Sequence, residues 1–242
     1  WGPMHWGHVS SEDLVTWRRE PIALAPSLEE DRDGVFSGSA VTAEDGTLML
    51  FYTGNRWANG VDDAEGNLQV QCLAQSADGV SFTKLGGVVE PPAGVLDFRD
   101  PKVWRAGETW YMIFGVQSAE RRQVWLYRSL DPLSWEFDRV LFEDPDPDVF
   151  MIECPDLFPL GEHWVLLYSP MTTARPSGHG GRNGHNAGYL VGSWAPGEDF
   201  TPTTSYRPAD WGHTFYAPQT FEAPDGRRLL LATGAAPALP GL

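Results

Sequence analysis

Short apolar runs separated by turns recur along the chain. In the clearest stretch, four runs rich in Val, Leu, Ile and aromatic residues follow one another: Pro101–Arg105, Trp110–Gly115, Gln123–Ser129 and Trp135–Leu141. Several such runs are almost continuously apolar, which is typical of strands buried on both faces. No stretch shows the period of a long amphipathic helix. The pattern therefore predicts an all-β protein.

Two independent markers indicate that this four-strand unit repeats. The first is Ser-x-(x)-Asp-x-x-x-aromatic, which ends at Trp17, Phe82 and Trp135. The second is an apolar residue, a polar residue and then a Pro or small residue before a strand; it begins at Phe36, Phe98, Ile152 and Phe215. Both markers recur every ~50–65 residues, as in a repeat architecture. The Asp residues of the first marker, Asp13, Asp78 and Asp131, are interpreted as turn caps.

Four strands per unit, repeated radially, predict a β-propeller. Residues 1–234 are expected to form a five-bladed β-propeller, incomplete at both ends, and residues 235–242 an irregular tail. The first, partial blade is expected to contribute strands at Met4–Val9 and Trp17–Ile22. Because the chain begins at Trp1 rather than Met, we expect it to be part of a longer protein.

Charge and cysteine content narrow the function classes. The 242 residues carry a formal net charge of −16, which disfavours nucleic acids and anionic membranes as partners. No apolar run approaches the roughly 18 residues of a membrane span. Cys72 and Cys154 lie in different repeats, so they are predicted to be unpaired, which favours a reducing compartment and a cytoplasmic location.

The polar residues of the second marker are the candidate site. If the first strand of each blade lines a central channel, one funnel is expected to hold five side chains: Ser37, Arg99, Asp100, Glu153 and Tyr216. Neighbours on a regular strand point to opposite faces, so Arg99 and Asp100 both reach the funnel only at an irregular strand start, which Pro101 favours. Two carboxylates among aromatic side chains suit glycoside hydrolysis.

A set of motifs in order along the chain resembles glycoside hydrolase family 32, the β-fructosidases. The motifs are Trp1-Gly2-Pro3-Met4-His5-Trp6-Gly7-His8, Asp13-Leu14-Val15-Thr16-Trp17, Phe36-Ser37-Gly38-Ser39, Phe98-Arg99-Asp100-Pro101, Glu153-Cys154-Pro155-Asp156 and Phe215-Tyr216-Ala217-Pro218-Gln219-Thr220-Phe221. Two further stretches look most like the bacterial sucrose or sucrose-6-phosphate branch: Tyr52-Thr53-Gly54-Asn55-Arg56 and Gln69-Val70-Gln71-Cys72.

The resemblance implies a retaining enzyme that cleaves terminal β-D-fructofuranosides, such as sucrose or sucrose-6-phosphate, without a cofactor or metal. Glu153 would be the general acid/base. Asp100, with Arg99 beside it, would hold fructosyl hydroxyls and stabilise the transition state. Trp1, Phe36 and Ser37 would line the fructose subsite.

Several features of the family have no counterpart in the sequence. The nucleophile motif Trp-Met-Asn-Asp-Pro-Asn-Gly is absent, and so is the C-terminal β-sandwich. A retaining mechanism needs the nucleophile, so the chain alone is expected to be inactive.

Other readings stay open from the residues alone. Another five-bladed furanosidase, such as an inverting arabinanase, would place its carboxylates roughly 6.5–9.5 Å apart. A catalytically dead propeller could bind sugar. Asp100 could serve as a structural ion-pair partner of Arg99. His179 and His185 lie in a Gly-rich segment without carboxylates at ligand spacing, so we interpret it as a loop rather than a metal site.

Overall fold

A computed structural model describes residues 3–95, 97–118, 121–172, 186–212 and 215–234. In these ranges the chain forms strands and two short 3-10 helices, Glu29–Asp31 and Asp63–Glu65, and contains no α-helix. The all-β prediction is confirmed. Neither described helix has the length and apolar character needed to cross a membrane. Trp1, the histidines His179 and His185, and the tail 235–242 lie outside the described residues.

The strands of the described residues form five sheets in chain order. The first pairs β1 (Val9–Ser10) with β2 (Arg18–Arg19). The second contains β3 (Gly34–Thr42), β4 (Leu48–Trp57), β5 (Asn67–Ser76) and β6 (Thr83–Val89) in that order. The third contains β7 (Asp97–Ala106), β8 (Thr109–Ser118), β9 (Arg121–Ser129) and β10 (Glu136–Glu143).

The fourth sheet is larger and the fifth is smaller. The fourth contains β11 (Val149–Leu160), β12 (His163–Thr172), β13 (Gly188–Ser193) and β14 (Thr201–Pro202), with β15 (Arg207–Pro208) also paired to β13. The fifth pairs β16 (Phe215–Glu222) with β17 (Arg228–Gly234). The four apolar runs predicted within residues 101–141 coincide with β7 to β10, so the four-strand unit is confirmed there.

The predicted strands Met4–Val9 and Trp17–Ile22 are largely wrong. Ladder pairing is found only for β1 with β2 and for one isolated bridge between Trp6 and Leu24. Two more backbone hydrogen bonds join the segments, from Glu20 to His8 and from Ala23 to Trp6. The reason is burial: Met4, Trp17 and Ile22 have exposed side chains, so no packed face extends the ladder. Trp6 and Leu24 pack against the core of the second sheet, and this is where the segment stays paired.

The recurring Ser-x-Asp motif caps turns, as predicted. The Asp78 carboxylate accepts the backbone N–H groups of Val80 and Ser81 at 2.8 and 2.7 Å. Asp13 accepts those of Val15 and Thr16, and Asp131 accepts those of Leu133 and Ser134. The hydrogen bonds from Ser81 and Val80 lower the pKa of Asp78 to about 2.

This turn is expected to give the protein a measurable acid sensitivity. The folded-state pKa of Asp78 lies below the unfolded value of roughly 3.9, so its contribution is present above about pH 4 and is lost as pH falls through about 2. We expect Asp78→Asn to reduce the free energy of unfolding at pH 6 and to make no difference near pH 2. Urea unfolding at pH values from 2 to 6 measures this difference in the free energy of unfolding between Asp78→Asn and the wild type. Glu108→Gln, at an exposed glutamate in the β7–β8 turn, is the control. A constant difference at every pH would contradict the assignment.

The chain divides into two compact units, residues 1–112 with 128–136, and residues 113–127 with 137–242. In the first unit, the buried Asp31 carboxylate accepts hydrogen bonds from the Tyr52 hydroxyl and the Lys84 ammonium at 2.9 and 2.5 Å. Burial alone would raise the pKa of Asp31, but Lys84 and the backbone N–H groups of Ser27 and Leu28 outweigh it and hold the pKa below its usual range. Asp31 therefore anchors the chain just before β3.

The second unit repeats this arrangement. The hydroxyl of Tyr168 on β12 donates to the buried Asp144 carboxylate at 2.8 Å, just before β11. Tyr52 and Tyr168 hold matching places in their sheets, on the second strand of each. A buried Asp–Tyr pair thus fixes the approach to the first strand in both units, and these first strands carry the candidate site residues.

Candidate active site

The predicted site residues lie on the first strands of four successive sheets. Phe36 and Ser37 are on β3, Arg99 and Asp100 on β7, Glu153 on β11, and Tyr216 on β16. On the last three of these strands, the residue before a proline has a left-handed backbone: Asp100 at φ 68°, Cys154 at φ 48° and Ala217 at φ 50°. Leu14 is the one other non-glycine residue of the described ranges with positive φ. Such backbone is costly for L-residues and clusters at functional sites.

A β-bulge accompanies the site segments whose pairing is defined. Glu153 pairs with Ser169 and the next pair joins Asp156 to Leu167, so β11 carries one extra residue. The same shift separates the pairs Phe36–Thr53 and Gly38–Tyr52 on β3, and Tyr216–Thr233 and Gln219–Leu231 on β16. A bulge re-aims the side chains beside it. The irregular backbone predicted before Pro101 is confirmed, because Asp100 on β7 is left-handed. Similar irregularities recur on β3, β11 and β16.

The register corrects one alignment made from the sequence. The sequence pattern places Ser37 in the position of Glu153 and Tyr216. By strand pairing, Phe36 holds that position, because Phe36, Glu153 and Tyr216 each pair with the equivalent residue of the second strand. The difference arises because β3 has Gly38 where the other strands have a proline. Apolar and polar character alone do not locate the extra residue of a bulge.

In the first unit, Asp100 is buried, with 5% of its surface exposed, and its backbone N–H donates to the Thr53 hydroxyl at 2.9 Å. The Thr53 hydroxyl in turn donates to the Ser37 carbonyl at 3.1 Å. The Arg99 guanidinium forms an ion pair with the Asp97 carboxylate. Ser37 has an exposed side chain and Phe36 is half-buried. One threonine therefore connects the site segments of β3 and β7.

Buried amide side chains on β4 and β5 support the beginning of β7. Gln69 accepts the Phe98 N–H at 2.9 Å, and Gln71 donates to the Phe98 carbonyl at 2.6 Å. Asn55 accepts from Gln69 at 3.3 Å. All three side chains are at most 2% exposed. Sequence reasoning did not assign them a supporting role; for the glutamines, the signal was their alternation, Gln69 and Gln71, in the buried middle of β5.

In the second unit, the Tyr216 hydroxyl donates to Glu153 Oε2. Glu153 is half-buried, on the bulge of β11. The arrangement provides a carboxyl group that can exchange protons while one of its oxygens is held by a phenol. Sequence reasoning placed both residues in the site, and the structure brings these two together.

Further hydrogen bonds fix β16 beside β11 and β12. Asp156 Oδ2 accepts the N–H and hydroxyl of Thr220 at 2.7 and 2.8 Å. The Ser169 hydroxyl accepts the Ala217 N–H at 3.2 Å, and Gln219 donates to the Cys154 carbonyl at 3.4 Å. These contacts hold Tyr216 against Glu153.

The described ranges contain two buried cysteines and no cluster of potential metal ligands. No group of three or more His, Cys, Asp or Glu side chains there could hold a metal ion. Cys72 and Cys154 are both buried and neither forms a disulfide. Burial raises the pKa of the Cys72 thiol to about 12. Cys154 is buried, and its backbone next to Glu153 is left-handed.

The described residues are all-β, and Glu153 is half-buried on the bulge of β11, next to the left-handed Cys154. The family model described as "Glycosyl hydrolases family 32 N-terminal domain" matches residues 1–237. The chain therefore belongs to glycosyl hydrolase family 32, as the motifs predicted.

Named relatives agree with this membership. The chain is 46% identical over 232 residues to a sucrose-6-phosphate hydrolase of Escherichia coli, covering 96% of this chain and 48% of that protein. It is 45% identical to a raffinose invertase of Escherichia coli, again over 96% of this chain and 48% of the relative. The chain thus spans about half the length of these curated relatives.

Solved structures show the same fold. A β-fructofuranosidase of Bombyx mori, determined as a mutant in complex with sucrose, superposes with a TM-score of 0.87 at 39% identity over 99% of this chain and 50% of that one. A sucrose-6-phosphate hydrolase from Lactobacillus gasseri gives a TM-score of 0.86 at 29% identity, over 97% of this chain and 48% of its own.

Proposed function

We propose that the chain is part of the catalytic five-bladed β-propeller of a retaining β-fructosidase that cleaves terminal β-D-fructofuranosides, with sucrose or sucrose-6-phosphate as substrate. The observation that carries the proposal is Glu153: a half-buried carboxyl on a bulge, held by the Tyr216 hydroxyl, in a chain of family 32. The names of its relatives point to the same substrate class. A cytoplasmic location remains a prediction.

The residue roles follow from the chemistry. Glu153 protonates the glycosidic oxygen and then activates water for the second step, because a retaining mechanism uses one carboxyl group as acid and then as base. Asp100, with its carboxylate on a buried and strained strand start, holds fructosyl hydroxyls and stabilises the oxocarbenium-like transition state. Arg99 is placed beside it, and Phe36, Ser37 and Trp1 line the fructose subsite.

The substrate and stereochemistry can be tested on the full-length protein that contains this chain. We expect hydrolysis of sucrose or sucrose-6-phosphate, with β-fructofuranose as the first product by time-resolved NMR, because double displacement retains the anomeric configuration. Comparing kcat/KM for the two substrates identifies the preferred one. The 242-residue chain, which contains no nucleophile motif, is expected to show no turnover in the same assay.

The alternatives give different results in this experiment. Net inversion at the anomeric carbon would overturn the retaining mechanism and favour an inverting furanosidase. Sucrose binding by calorimetry without any hydrolysis by the full-length protein would favour a binding propeller.

A further inference from the structure

Within each unit, the first two strands of one sheet accept an equivalent pair of hydrogen bonds from the first strand of the next sheet. In the first unit, a hydroxyl of β4 (Thr53) accepts the Asp100 N–H, and Ser39 of β3 accepts the Val103 N–H at 3.0 Å. In the second, a hydroxyl of β12 (Ser169) accepts the Ala217 N–H, and the carboxylate of Asp156 accepts the Thr220 N–H.

The register shows that these contacts are equivalent. Thr53 and Ser169 occupy the same place on the second strand, because they pair with Phe36 and Glu153. Their hydroxyls accept hydrogen bonds from the backbone N–H groups of Asp100 and Ala217. Both of these residues are left-handed and precede a proline. In each unit, a hydroxyl on the second strand of one sheet therefore accepts the N–H of the left-handed residue on the first strand of the following sheet.

This geometry points to Thr53 as a positioning residue for the fructosidase reaction, acting through the backbone of Asp100. The inference rests on the proposed function, in which Asp100 faces the fructosyl unit. Thr53 has no exposed surface, and its hydroxyl also donates to the Ser37 carbonyl. A single buried group therefore sets the left-handed conformation of Asp100 relative to the Ser37 segment.

The physical need for such a group is clear from the backbone. A left-handed conformation costs energy and persists only where surrounding contacts over-determine it. Without the Thr53 hydroxyl, the Asp100 N–H loses its acceptor, and the segment Arg99–Pro101 can relax towards an ordinary strand. A relaxation of about 1 Å in the carboxylate position is enough to cost roughly a hundredfold in rate.

The test compares three variants of the full-length protein. Thr53→Val keeps the side-chain shape and removes the hydroxyl, Thr53→Ser keeps the hydroxyl, and Ser39→Ala removes the neighbouring hydrogen bond to Val103 on the same strand. We expect Thr53→Val to lower kcat by about tenfold to a hundredfold with little change in KM. Thr53→Ser and Ser39→Ala should stay within about twofold of the wild type.

Hydrogen exchange at single amides provides a readout that does not depend on activity. The Asp100 amide should exchange faster in Thr53→Val and at the wild-type rate in Ser39→Ala, whereas Val103 should show the reverse. The inference is overturned if Thr53→Val retains full kcat, if its Asp100 amide stays protected, or if Ser39→Ala loses as much kcat. If Thr53→Val does not fold, Thr53→Ala takes its place, with the Asp100 amide as the probe and the same expected loss of kcat.

Failure of the proposed function has a separate signature. A wild-type protein that turns over neither sucrose nor sucrose-6-phosphate overturns the fructosidase assignment and the catalytic part of the inference together. The exchange rates of Asp100 and Val103 then still decide whether Thr53 holds the left-handed residue.

Discussion

Replacing Glu153 with Gln is expected to lower kcat for sucrose or sucrose-6-phosphate by about 10²–10⁴-fold in the full-length protein, the usual contribution of a positioned general acid–base group. The amide keeps an oxygen that can accept the Tyr216 hydroxyl, so the strand start should keep its shape while the exchangeable proton is lost. Steady-state kinetics on purified protein measure the change, and thermal unfolding checks that the fold is kept.

The role of Glu153 can be separated from general damage by the choice of leaving group. Fructosyl fluoride needs no protonation of its leaving group, so the first chemical step should be far less impaired in Glu153→Gln than it is with sucrose. Glu162→Gln, at an exposed glutamate in the β11–β12 turn of the same unit, is the matched control and should leave kcat unchanged. An equal loss of kcat/KM, which reports the first chemical step, on both substrates would speak against Glu153 as the acid.

Much of the fold could be predicted because its signals are local. Apolar runs of strand length and Ser-x-Asp turns depend on neighbouring residues only, so β7 to β10 and the caps at Asp78 and Asp131 follow from the sequence. Prediction was wrong for most of Met4–Val9, where Met4 is exposed and only Val9 belongs to a strand. Apolar character indicates a capacity for burial, but a partner surface decides whether a strand extends.

The candidate site was predicted as a set of residues but not as a geometry. Polar residues that interrupt apolar strand starts before a proline mark Asp100 and Glu153. The left-handed backbone of Cys154, next to Glu153, and of Ala217, next to Tyr216, could not be predicted, because neither residue type has an intrinsic preference for positive φ. The conformation is imposed by partners distant in sequence, such as Thr53, 47 positions from Asp100, and Ser169, 48 positions from Ala217.

Of the three left-handed residues that precede a proline, only Asp100 is of a type that suits the conformation, since a short polar side chain tolerates positive φ. Asparagine shares this tolerance. Asp100→Asn should therefore keep the backbone and remove only the charge, which alanine would not achieve. The stability of the variant, measured by urea unfolding, should stay close to that of the wild type.

Asp100→Asn is nevertheless expected to lower kcat by about 10²–10³-fold, the size of effect seen when one preorganised electrostatic group is removed from a transition state. The loss should fall on kcat and kcat/KM alike, because the charge acts where the oxocarbenium-like centre develops. Asp45→Asn, in an exposed turn of the same unit, controls for a general change in charge. A raised KM with unchanged kcat would assign Asp100 to ground-state binding of fructosyl hydroxyls instead. If Asp100→Asn fails to fold while Asp45→Asn folds and turns over normally, the Asp100 carboxylate is a structural group, as in the ion-pair alternative.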